Sequence, residues 1–288
     1  MRLPAPITDI IVGAPGPDII PVAVEEKFGA GDRIPDTVID GWENDDLIVR
    51  ATSVRGRMHR YNGAPRQDSI ALQRSMDGAT VFIAVADGVS AAVHSHAGSQ
   101  AAAMQAVAWL EKNYTVGMGD AEARNLLQNA AYAVSSKAGA GKFADALPDD
   151  FASTLVCAAV TRTQEGLAGH VFSVGDSCSW ILDDAGILPI AGGKEDYGAV
   201  ASSAVRPLPY VPDVLDVQGF VTEGAEVLLL ASDGIGDPIG GGGGALTDLL
   251  RERLVGRVPG IVEFAHIVDF SKSGFDDDRS LIAVWPKV

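Results

Sequence analysis

VFIAVADG (residues 81–88) and VLLLASDG (residues 227–234) are two versions of one pattern, an apolar run that closes on Asp-Gly. Each run is too short for an ordinary helix and is built of branched or aliphatic residues, so each is predicted to be a strand. The apolar positions are consecutive rather than alternate, as in strands with both faces covered. Their neighbours read the same way. LIVRATSV (47–54), SIALQRS (69–75), STLVCAAV (153–160), GHVFSVG (169–175), SWILDD (179–184) and SLIAVW (280–285) are further strands, alongside TVFIAVA (80–86) and EVLLLAS (226–232).

Two consecutive helices are expected between these strands. In AGSQAAAMQAVAWLEKN (97–113), Ala97, Ala101, Met104 and Ala108 share a face. In DAEARNLLQNAAYAVSSK (120–137), Ala123, Leu127, Ala130 and Val134 do so, with Asp120 as N-cap. A third helix, from Ala245 to about Arg257, aligns Leu246, Leu250 and Leu254. Strands and helices do not alternate regularly, which points to an α+β protein rather than a doubly wound sheet. Residues 186–224, rich in Gly, Pro and small residues, are expected to form an irregular excursion, and GGGGG (240–244) a connection into the third helix. Residues 1–45 read as an extended arm or small hairpin, with a boundary near Asp45 and one domain over 46–288.

The 288 residues are enough for a large core, and 47% hydrophobic with 21% charged residues is ordinary for a soluble globular chain. A formal charge of -16, from 22 basic and 38 acidic residues, disfavours nucleic-acid and anionic-membrane partners. Cys157 and Cys178 lie in apolar segments without metal-type spacing and are expected to be buried thiols. With no signal peptide and no apolar run of spanning length, a cytoplasmic, monomeric protein is expected.

Acidic residues gather at the ends of the strongest strands. Asp87-Gly88 and Asp233-Gly234 close two of them, while Asp68 and the triplet Asp276, Asp277, Asp278 precede two others. One strand-edge aspartate is ordinarily a turn residue. If the strands are adjacent, however, their carboxylates meet at one end of the sheets and need protons or cations there. Oxygen ligands without His or Cys favour Mg²⁺ or Mn²⁺, and glycine lets a backbone carbonyl approach an ion. Two such ions can share a water and aim it at phosphorus.

Six segments in order resemble the metal-dependent PP2C (PPM) Ser/Thr protein phosphatases in their bacterial form. RQDS (66–69) is similar to the family's NEDS element, and VFIAVADGVSAAVHSHAGSQAA (81–102) to its VADGMGG element. DDFASTLVCAAV (149–160), HVFSVGDSCSWIL (170–182), LLLASDGIGD (228–237) and DDRSLIAVW (277–285) match its GSTA, NVGDS, CSDGL and DNxT elements. The resemblance spans roughly residues 50–288. It implies a β-sandwich of two antiparallel sheets flanked by helices, with two or three Mn²⁺ or Mg²⁺ ions in a cleft at one edge. Asp87 would bridge two metals, the Gly88 carbonyl, Asp233 and Asp277 would be ligands, and Asp68 would hold metal-bound water. Asp149 would serve a third metal, with Asp145 and Asp150 as rivals, while Asp176 and Asp237 would hold turns.

Departures from the pattern are specific. Gln67 replaces the usual Glu, and Val89 stands where eukaryotic members carry a His general acid, leaving His94 and His96 as alternatives. The family's phosphate-binding Arg follows a Gly by three positions. Counting from Gly56 reaches His59, next to Arg60, with Arg57 and Arg66 as further substitutes. The implied activity is hydrolysis of phosphoserine and phosphothreonine in proteins by a metal-activated water, without a phosphoenzyme, opposite a partner Ser/Thr kinase. A catalytically weak PP2C-like module that binds a phosphoprotein, and a phosphatase of small metabolites, are the alternatives.

Overall fold

The computed structural model describes residues 9–25, 34–193 and 206–287. Among them, eleven strands form two antiparallel sheets. One sheet runs, in spatial order, through β1 (Thr37–Glu43), β2 (Leu47–Val54), β11 (Arg279–Pro286), β10 (Val227–Ala231), β7 (Cys178–Leu182) and β8 (Ile187–Gly192). The other runs through β3 (Ser69–Arg74), β4 (Thr80–Ala86), β5 (Leu155–Arg162), β6 (Leu167–Val174) and β9 (Asp216–Val221). Helices α2 (Ser95–Asn113) and α3 (Asp120–Ser135) cover the five-stranded sheet. The six-stranded sheet is covered by α4 (Asp233–Ile239), α5 (Ala245–Leu254) and α6 (Ile261–Val268), while the short α1 (Arg57–Asn62) follows β2. The result is the expected α+β sandwich, layered α/β/β/α.

The consecutive apolar runs now have a cause. In β4, Val81, Ile83 and Val85 face the opposite sheet, whereas Phe82, Ala84 and Ala86 face the helices. In β10, Leu228 and Leu230 join the core between the sheets, and Val227, Leu229 and Ala231 the outer one. A strand sandwiched between a sheet and a helix layer must be apolar at both periods of its pleat. Cys157, fully buried in β5, is such a core side chain, and burial pushes its thiol pKa up. Cys157 and Cys178 are both free and buried.

Three of the four edge strands escaped the sequence, β3 being the exception. β8 (ILPIAG) and β9 (DVQGFV) lie inside the expected excursion 186–224, and β1 inside the expected arm. All three are outermost in their sheets, where glycine, proline and polar side chains are tolerated and the apolar signal fades. Residues 194–205 of the excursion lie outside the described residues. The boundary expected at Asp45 falls in the β1–β2 hairpin turn, where the Asn44 side chain accepts the N–H groups of Asp46 and Leu47. The sheet therefore runs across it. Within residues 9–25, Val12 donates to the Ser271 carbonyl, Val22 to that of Arg60, and Glu25 to that of Gly63.

Two helix details also differ. Met104 is 59% exposed, because the buried stripe of α2 runs through Ala102, Ala103, Ala106 and Leu110 against both the sheet and α3. Gly119, not Asp120, is the N-cap of α3, and its N–H donates to Glu122. Asp120 instead occupies the first turn, where the helix dipole favours its charge. The five glycines 240–244 link α4 to α5, and Gly244 starts α5 at φ +118°. No helix among the described residues is long and apolar enough to cross a membrane.

Candidate metal centre

Antiparallel register brings the acidic strand ends together. Ser69 pairs with Ala86, so Asp68 and Asp87 flank one sheet edge. Ala231 pairs with Leu281 and Arg279 with Val54, so Asp233 and Asp277–Asp278 flank the same edge of the other sheet. The two edges are stitched by Ser280 of β11, whose Oγ donates to Asp68 Oδ2 at 2.8 Å. Asp87 is held by its backbone: its N–H donates to Thr154 Oγ1 (3.1 Å), and its carbonyl accepts from Thr154 N–H (2.8 Å) and Ser153 Oγ (2.9 Å). These serines and threonines lie in the DDFASTLVCAAV and DDRSLIAVW segments, but nothing in a single sequence pairs them with Asp87 or Asp68.

The glycines beside the aspartates are required by close packing. A Cβ on Gly234 would sit 1.9 Å from the Asp278 carbonyl oxygen. One on Gly88 would come within 2.8 Å of Ser95 Cβ and 2.9 Å of the Gln67 carbonyl.

The carboxylates repel one another. Asp87 is in hydrogen-bonding contact with Asp233, and its pKa is raised well above the ordinary range by desolvation, then by the charges of Asp68 and Asp233. Asp68 is pushed up to about 8 by burial and by Asp278, against the lowering effect of bonds from Ser232 and Ser280. Asp277, at the open side of the cleft, is raised by desolvation and by its neighbour Asp278. Among the described residues, no Lys or Arg pairs with Asp68, Asp87 or Asp277. Converging oxygen donors whose repulsion is only partly relieved, by serine bonds to Asp68 and by His59 and Arg279 near Asp277, are a fit for a hard divalent cation.

Asp278 plays a different part. It is 2% exposed and accepts the N–H of Gly56 (2.6 Å) on one oxygen and that of Gln67 (2.5 Å) on the other. The His59 ring nitrogen Nδ1 lies 2.8 Å from Oδ1. One oxygen each of Asp277 and Asp278 and a His59 nitrogen fall within 4.8 Å of one another. This trio has a metal-like geometry, but the bonds from Gly56 and Gln67 already engage both Asp278 oxygens. Burial alone would lower the His59 imidazole, and the bond to Asp278 with the charges of Asp277 and Asp68 outweighs it and raises the pKa.

The other sequence candidates are distributed as follows. Arg60 is committed to Asp36 (2.7 Å) and Asp269 (3.0 Å), and Arg57 to Asp9 (2.5 Å). Arg66 is buried and donates to Ser53 Oγ and to the carbonyls of Pro35 and Asp68. Asp149 is exposed on the 3-10 turn Pro148–Phe151, which lies against the loop after Gly88 through Val89 N–H to the Ala152 carbonyl (3.0 Å). Asp150 caps that turn by accepting Leu147 N–H, and Asp145 lines a separate cavity with His94. His94 packs on Phe143 and Phe151, while desolvation lowers the buried His96 to about 4, so its ring stays neutral at pH 7.

A family model for protein phosphatase 2C matches residues 55–254. No curated protein matches the chain in sequence. Solved structures with the same fold include the catalytic domain of the serine/threonine protein phosphatase PstP in complex with two manganese ions. It is 19% identical, with a TM-score of 0.57, over 84% of this chain and 99% of that one. The serine/threonine phosphatase Stp1 from Staphylococcus aureus is 13% identical, with a TM-score of 0.58, over 83% and 95% of the two chains. RsbX in complex with magnesium is 12% identical, with a TM-score of 0.51, over 87% and 100%. At these identities the likeness is one of fold, and the match over residues 55–254 establishes the family: the chain belongs to the protein phosphatase 2C family.

Proposed function

We propose that the chain hydrolyses phosphoserine and phosphothreonine in proteins, with Mn²⁺ or Mg²⁺ held at the carboxylate cluster. Asp87, the Gly88 carbonyl, Asp233 and Asp277 would hold two ions, Asp68 would orient water beside them, and Asp149 would serve a third. Bound there, such cations lower the pKa of water and polarise phosphate oxygens. The observation that carries this reading is the convergence of Asp68, Asp87, Asp233 and Asp277 from two sheets, with no Lys or Arg ion-paired to Asp68, Asp87 or Asp277 among the described residues.

The chain's own residues divide the remaining work. Ser153 and Thr154 fix the backbone of Asp87, and Ser232 and Ser280 orient Asp68. His59, held by Asp278 next to Asp277, supplies positive charge to a phosphate oxygen. Arg60 is already neutralised by two carboxylates, and Arg66 is tied to neutral oxygens. His59→Ala is expected to raise KM for a phosphopeptide about tenfold while kcat falls less, the sign of lost substrate binding. An unchanged KM would remove His59 from phosphate recognition.

The primary test is turnover of p-nitrophenyl phosphate and of a phosphothreonine peptide with Mn²⁺, and again with EDTA. Mn²⁺-dependent release of phosphate from both supports the reading. Turnover of the small ester alone points to metabolite substrates, and no turnover of either leaves a phosphoprotein-binding module. A protein substrate of this kind presupposes a Ser/Thr kinase acting on the same proteins, and a cytoplasmic setting accords with the two free cysteines.

A further inference from the structure

A cavity of about 500 Å³ opens next to the metal centre, and Asp68 forms part of its wall. Three basic side chains line it: Arg66, Lys137 just beyond the end of α3, and Lys142 over the ring of Phe143. In a chain of formal charge -16 this is a local reversal of sign. Arg66 is the more telling of the three. It is 7% exposed, its hydrogen bonds run only to a serine hydroxyl and two backbone carbonyls, and no carboxylate lies in ion-pairing reach among the described residues. Asp68, Asp278 and Asp36 act on it only from beyond ion-pairing distance, burial still outweighs them, and its Nη2 is left over from those bonds. The one carboxylate in the wall, Asp68, is bonded to Ser280 and Ser232. Ile34, Val38 and Phe143 add an apolar surface suited to the methylenes of a long acidic side chain.

We propose that this cavity is a substrate subsite for an acidic side chain, glutamate above all, a few residues from the phosphorylated one. The proposal rests on the phosphatase reading and names its substrate class. It also runs against the overall charge, since long-range repulsion from an acidic protein disfavours acidic peptides. A preference for them therefore has to come from a local site.

The test uses two phosphothreonine peptides of equal length, one with glutamates at two to four positions on either side of the phosphothreonine, the other with glutamines there. The full-length wild type is expected to show kcat/KM about fivefold higher for the glutamate peptide. Lys137→Glu should bring that ratio to one or below, and Lys142→Gln, at an exposed position, should lower it. A wild-type ratio of one or less, or a ratio untouched by both variants, overturns the proposal. Fluorescence anisotropy of the same labelled peptides in EDTA gives the ratio without turnover. If no phosphate is released from any substrate, the phosphatase reading fails on its own, while the anisotropy ratio still decides the subsite.

Discussion

Asp233→Asn is expected to lower Mn²⁺-dependent turnover at least about a thousandfold, because on the proposed reading the carboxylate it removes would hold an ion that would activate water. The amide keeps the shape of the side chain at the start of α4, so the fold should persist. Stability separates loss of site from loss of structure. In the metal-free wild type, Asp68 titrates near 8 and Asp87 well above the ordinary range, whereas in the unfolded chain both titrate near the usual value of about 4. A carboxyl with a raised folded pKa contributes stability that is fully present below the unfolded pKa and is lost as pH rises through the folded one. His59, raised by Asp278, changes stability in the same direction. Metal-free wild type should thus melt at a lower temperature at pH 8 than at pH 5.5, and Mn²⁺ should restore more at pH 8. Asp233→Asn relieves one of the charges acting on Asp87, so its melting temperature should fall less with pH and respond less to Mn²⁺. Turnover above a tenth of wild type, or a flat pH profile for the metal-free wild type, would displace the metal centre from these residues.

The sequence made the inner strands legible because burial on both faces leaves an uninterrupted apolar run, as in β4 and β10. It made the acidic set visible through repetition: Asp87-Gly88 and Asp233-Gly234 end equivalent strands of different sheets. Edge strands β1, β8 and β9 were hidden by the tolerance of an edge for Pro, Gly and polar residues. The supporting contacts were hidden for another reason. Ser280 meets Asp68 across 212 positions and His59 meets Asp278 across 219, and periodicity carries no information at that range. The triplet Asp276–Asp278 shows the limit well. Its charge density was plain, but the division between a cleft-facing Asp277 and a bonded, buried Asp278 arises only once Gly56 and Gln67 are folded against it.

That division predicts the second large effect, on stability. Asp278→Ala should cost about 3–5 kcal/mol in urea unfolding, or roughly 10 °C in melting temperature. The cost has a specific origin: the buried N–H groups of Gly56 and Gln67 lose their acceptor together, and His59 loses its partner. Each buried donor left unmade costs about 1–3 kcal/mol, and the contributions do not add fully because the loop at Gly56 can relax and admit water. That relaxation is only partial, since a Cβ on Gly56 would lie 2.3 Å from the Asp277 backbone, so most of the loss should remain. Asp278→Asn is the informative companion. One amide oxygen can still accept from Gly56, but the NH₂ then faces the Gln67 N–H, so about half the loss is expected and His59 should be less firmly held. Both variants should weaken Mn²⁺ binding through the displaced Asp277, whose own carboxylate is intact. A loss below about 1 kcal/mol for Asp278→Ala would mean that the network does not anchor the loop that carries Asp277.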